Sequence, residues 1–73
     1  MTYRYELHAP TNLDDMHYTS LKTSSNNLDN VKMVMTELLN SYPEFLNNTF
    51  IRDSQTGILI MAKPIYNFFE VNP

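Results

Sequence analysis

Seventy-three residues without a cysteine exclude disulfides and cysteine-held zinc. They leave room for one domain, residues 1–73, whose core supplies no more than about 3–5 kcal/mol, so stability must come from tight packing or from association. A net charge of −3 with 18% charged residues fits neither the clustered positive charge of a dedicated nucleic-acid binder nor the dense carboxylate face of a nucleic-acid mimic.

Residues 2–8, "TYRYELH", alternate: Tyr3, Tyr5 and Leu7 fall on one side, Arg4, Glu6 and His8 on the other. This period of two predicts a half-buried strand, which Pro10 ends because proline cannot donate to a ladder. "PTNLDD" has the short polar side chains that close local turns, and "MHYTSLKT", residues 16–23, is a candidate second strand. No periodicity decides whether it pairs.

Asn27 is a plausible helix N-cap, and Asp29 in the first turn suits the positive end of the helix dipole. Leu28, Val31, Met35, Leu38 and Tyr42 then recur at spacings of three and four, with Val34 and Leu39 widening the stripe, which predicts an amphipathic helix. Met33 falls beside the stripe and is expected to be exposed. Pro43 stops the helix, and Phe45 and Leu46 are expected to fold back as a short turn closing one end of the core. "TFIRD" and "GILIMAK" flank "SQT" and contain the chain's one glycine, Gly57, where a hairpin turn is expected. After Pro64, "IYNFFEVN" predicts a further strand. The fold class that results is α+β: one amphipathic helix packed on a three- to five-stranded antiparallel sheet in the order β-(β)-α-β-β-(β).

Catalytic and ligand signatures are lacking. His8 and His17 bracket Asp14 and Asp15, but the spacing fits no metal motif, and solvated side chains near an acidic turn are the expectation. No serine sits in a glycine-flanked elbow, and a single glycine cannot build a phosphate loop. "NNT" at 47–49 matches a glycosylation acceptor only by its letters. The expectation is a protein that is not an enzyme, with no cofactor and no metal. No apolar run reaches the roughly 18–20 residues that cross a bilayer, and "MTYRYELHAP" has no signal-type apolar segment, so no membrane partner and a cytoplasmic location are expected.

The segment "GILIMAKPIYNFFEV" carries what functional information there is. Ile58, Ile60 and Ala62 share one parity, Leu59, Met61 and Lys63 the other, so this strand is apolar on both sides, as a doubly covered strand reads. Ile65, Phe69 and Val71 oppose Tyr66 and Phe68 in the same way. One helix shelters one face, unless residues 10–27 or 43–48 wrap across the other. An apolar patch that the monomer cannot bury marks an interaction surface, and Tyr3, Tyr5, Met61, Tyr66, Phe68 and Phe69 are its expected members, since aromatics dominate such surfaces. The expected function is a non-enzymatic protein-interaction module that docks a sheet face or edge on a larger protein, with homodimerisation as a further expectation; a phage-type inhibitor or adaptor is one concrete form that its size suggests. The alternative is a small nucleic-acid-associated regulator using the aromatics as a stacking platform, for which the scattered basic residues (Arg4, Lys22, Lys32, Arg52, Lys63) are a poor fit.

Overall fold

The computed structural model describes residues 3–64 and 67–72. Five strands, β1 (Tyr5–Pro10), β2 (Thr19–Ser25), β3 (Phe50–Asp53), β4 (Leu59–Lys63) and β5 (Asn67–Val71), form one antiparallel sheet in the order β2-β1-β3-β4-β5. A single α-helix, α1 (Leu28–Ser41), and a short 3-10 turn (Pro43–Asn48) connect β2 to β3. This is the α+β architecture expected from the pattern, with both optional strands present.

The helix boundaries follow from their chemistry. Asn27 has extended backbone and its side chain accepts the N–H of Asp29 at 3.0 Å, satisfying one of the donors a helix start leaves unpaired. At the other end the Tyr42 N–H reaches the Leu38 carbonyl at 2.8 Å before Pro43 opens the 3-10 turn, where its missing N–H costs nothing. Val31, Met35 and Leu39, four apart, are buried. Val34 and Tyr42, placed in the stripe by spacing, are exposed, as is Met33. The buried line thus runs along one edge of the predicted stripe, because α1 lies mainly over β1 and β2, at one side of the sheet, and what flanks that line on the outer side meets solvent.

The core comprises Leu7, Val31, Met35, Leu39, Phe45, Ile51, Ile60 and Ala62. Cross-strand partners explain the selection: Leu7 pairs with Ile51, and Ile51 with Ile60, so these side chains line one face. The 3-10 turn extends the cover from β1 toward β4, with Phe45 buried and Leu46 packed against the cluster. The buried Thr49 hydroxyl donates to the Phe45 carbonyl at 2.8 Å. As expected for this segment, 43–48 closes the core on the helix side.

Two strand boundaries differ from the period-two reading. β1 runs from Tyr5 to Pro10 rather than over residues 2–8. Its last residue tolerates proline because β3 pairs only as far as His8, leaving Pro10 with β2 alone, opposite Thr19. The second strand forms over 19–25 rather than 16–23. Residues 11–18 are the preceding loop, turned by the Asn12 side chain, which accepts the N–H groups of Asp14 and Asp15, an arrangement typical of Asn in turns. The β3–β4 turn forms as read. Gly57 has φ 78°, a left-handed conformation that glycine adopts without steric cost.

Asp53 anchors that turn. It is buried, and its carboxylate accepts two bonds from the Arg4 guanidinium, at 3.1 and 2.9 Å, and one from the Gln55 N–H at 3.0 Å. The Arg4 hydrogen bond outweighs the effect of burial, and with the Gln55 and Thr56 donors it holds the Asp53 carboxyl at about 2. A carboxyl held below its unfolded value stabilises the fold above that value and ceases to do so as pH falls through the folded one. The unfolding midpoint of the protein should therefore fall as pH drops from about 4 toward 2. Asp53→Asn should lower the midpoint at neutral pH and flatten this acid limb, as read by urea titrations at each pH; an unchanged acid limb in the variant would place the sensitivity elsewhere.

Phe68 supplies a second test. It pairs with Ala62, so it lies on the helix side, partly buried against the core. Phe69 pairs with Met61 on the opposite side. Threonine keeps strand propensity while removing the ring, so Phe68→Thr should cost about 2 kcal/mol in urea unfolding, and Phe69→Thr less than about 1 kcal/mol.

Candidate functional site: the open face of the sheet

Register alone assigns the second face. Glu6 pairs with Ser24 and Arg52, His8 with Leu21 and Phe50, Arg52 with Leu59, Leu59 with Val71, and Met61 with Phe69. Directly opposed residues share a face, so Phe50, Leu59, Met61, Phe69 and Val71 form an apolar field across β3, β4 and β5, with Leu21 of β2 on the far side of Glu6 and His8 of β1. Side-chain contacts agree with the register. The His8 and Phe50 rings stack 5.2 Å apart at 16°, and the Arg52 Nη1 donates to the Glu6 Oε1 at 3.5 Å.

Among the described residues no helix covers this face. The helix and the 3-10 turn lie on the other side. The loop 11–18 turns the same way, for Met16 packs against the core cluster. Leu21 is 54% exposed and Val71 37%, while Phe50, Leu59, Met61 and Phe69 shelter one another only to the half-buried level. Single exposed apolar side chains are ordinary; a group of five on three neighbouring strands is not.

The charges on this face are few and largely paired. Glu6 receives both Arg52 and the His8 Nε2, the latter at 3.4 Å. The Lys63 ammonium lies 5.2 Å from the centre of the Phe69 ring, within reach of a cation–π contact. The face therefore divides into an apolar part on β3, β4 and β5 and a polar part of nearly balanced charge around Glu6, His8 and Arg52.

Of the residues expected at the surface patch, the structure brings Met61 and Phe69 together here. Tyr5 and Phe68 lie on the opposite, helix-covered side, both partly buried against the core. Tyr3 is exposed but precedes β1, and Tyr66 lies outside the described residues. Leu21, Phe50, Leu59 and Val71 were not among the expected members. Phe50 is legible once its parity is counted from the buried Ile51. Leu21 is not, because the register of β1 with β2 shifts between Leu7 and His8, leaving Lys22 as an extra residue and reversing the parity of everything before it.

A second concavity of about 410 Å³ lies on the helix side, beyond the edge of α1, between Leu28 and Lys32 of the helix, the Arg4–Asp53 pair, and Phe68 and Glu70 of β5. It is an open groove where the helix fails to reach the last strand. The two histidines are far apart in role: His8 belongs to the open face, and His17 sits in the loop 11–18, its N–H donating to the Asp15 carboxylate at 3.3 Å. No protein-family model, curated protein or solved structure matches this chain.

Proposed function

We propose that this chain is a non-enzymatic protein-interaction module that docks the open face of its sheet on a larger protein, acting as an inhibitor or adaptor. The observation that carries this reading is the apolar field of Phe50, Leu59, Met61, Phe69 and Val71 on the sheet face turned away from the helix. Burying apolar area at about 25 cal/mol per Å² gives such a field enough driving force for association once the cost of immobilising a partner is met. Its aromatic and methionine side chains suit a partner surface of protein rather than a small ligand, since the face is a shallow field and not an enclosing cleft.

The nucleic-acid reading has one feature in its favour, the aromatic rings of Phe50 and Phe69 with Arg52 and Lys63 beside them. Arg52, however, is already engaged by Glu6, and a net charge of −3 opposes the electrostatic attraction on which phosphate binding depends.

A photo-crosslinking phenylalanine analogue placed at position 61, with one at the exposed Glu37 of α1 as control, tests the proposal in extract of the source cells. The position-61 probe should label a discrete protein that the position-37 probe does not, with labelling insensitive to nuclease. Excess wild-type chain should suppress that labelling, and excess Met61→Glu chain should not. Raising salt from about 0.1 to 0.5 M should change it less than about threefold, whereas phosphate-driven binding would fall by orders of magnitude. Labelling that vanishes with nuclease or salt would favour nucleic acid, and equal labelling from both positions would remove the open face from consideration.

A further inference from the structure

The two edges of the sheet are built differently. β2 is interrupted where the extra Lys22 breaks its register with β1, its side chain is exposed, and the remainder of the strand is mostly serine and threonine. Bulges and lysines on an outer strand discourage pairing with another chain. β5 has neither device. It pairs with β4 over Asn67–Val71 without irregularity, carries two phenylalanines and a valine, and offers one row of backbone donors and acceptors with no strand beyond it in the sheet.

We infer that β5 is the seam of a symmetric homodimer, two copies pairing antiparallel through Asn67–Val71 to make one ten-stranded sheet. The register follows from the strand itself. Only a twofold axis at Phe69 pairs all five residues. It sets Phe69 opposite its own copy and Asn67 opposite Val71 of the partner subunit on the open face. On the helix side it sets Phe68 opposite Glu70 of the partner subunit. An axis at Glu70 would oppose two carboxylates, which is destabilising, and an axis at Phe68 would leave Glu70 and Val71 unpaired.

Charge complementarity selects the same arrangement. The Lys32 ammonium of α1 stands over the Phe68 ring, 5.0 Å from its centre. In an antiparallel pair the directly opposed side chain is about 4.5–5.5 Å away at its Cβ, so the partner's Glu70 arrives beside the very ring that Lys32 covers. Among the described residues neither Lys32 nor Glu70 has an ion-pair partner within the monomer. The twofold axis creates two such pairs, one at each end of the groove that α1 leaves uncovered. This contact does not depend on what the open face binds.

Sedimentation velocity over a dilution series tests it. The wild-type chain should shift from monomer toward twice that mass as concentration rises. Lys32→Glu alone and Glu70→Lys alone should each weaken association about tenfold or more, because each variant sets two like-charged pairs across the seam. Mixed together, the two variants should associate as a heterodimer, since both cross-seam pairs then carry opposite charge; this rescue in trans cannot arise from contacts within one chain. If circular dichroism finds Lys32→Glu unfolded, Lys32→Met, which keeps the apolar stem, should weaken self-association about three- to tenfold with the spectrum unchanged. A monomer at every concentration, a dimer indifferent to these variants, or variants that fail to rescue one another would overturn the inference. Met61→Glu, on the open face and outside the seam, separates the two proposals: it should leave the dimer intact while abolishing docking of the larger protein.

Discussion

A helix with its side chains is about 10–12 Å across, and five strands about 4.8 Å apart place the outer two some 19 Å from each other. One helix therefore cannot roof this sheet even on a single side. α1 takes the β1–β2 half, the 3-10 turn extends the cover toward β4 through Phe45 and Leu46, and the helix side of β5 is left with Phe68 beneath the Lys32 ammonium. The open face is the larger consequence of the same shortage. Neither α1 nor the 3-10 turn reaches it, and on β3, β4 and β5 it nevertheless carries Phe50, Leu59, Met61, Phe69 and Val71, where a solvated sheet face would be mainly polar.

The polar construction is concentrated at one corner. Arg4 joins three segments at once. Its N–H donates to the Asn26 side chain at the entrance to α1, its carbonyl accepts from the N–H of Ser54, and its guanidinium holds Asp53. The middle strand of the sheet is thus tied to the start of the helix and to the β3–β4 turn through one residue just before β1. Such a tie matters in a small fold, because the β1–β3 pairing is made between residues more than forty positions apart and must meet the entropy of closing that loop. An aspartate whose proton is lost so readily is part of the same device, since the ion pair persists through the whole neutral range.

Local chemistry made some of this architecture readable before any coordinates. Asn27, Asp29 and Pro43 bound α1, and Gly57 marks the tight turn, because caps, prolines and positive φ are properties of single residues and their neighbours. The limits of β1 and β2 were less readable, since a strand ends where its partner ends: Pro10 is admitted because β3 has already stopped at His8. The composition of the open face was the least legible. Phe68 and Phe69 are adjacent and chemically identical, and only the pairing of Ala62 with one and Met61 with the other separates a core side chain from a surface one. Leu21 depended on a bulge at Lys22 that no composition or period announces. Strand order, with β1 between β2 and β3, is a non-local fact and leaves no trace in either segment.

The edge and the face answer different physical needs. Pairing β5 with a second copy satisfies backbone groups and brings Lys32 to Glu70 of the partner subunit, yet it buries little of Leu21, Phe50 or Leu59, which lie away from that edge. In the proposed dimer a twofold axis perpendicular to the sheet would keep both open faces on the same side, and would widen the apolar field instead of hiding it. A larger protein with one matching surface would meet either half; one with two, or two copies of a target, would meet both, and linking two weak contacts raises their joint affinity without any new interaction. The incomplete roof of the monomer is therefore consistent with a molecule whose edge serves self-association and whose bare face serves something else, each with the side chains its role requires.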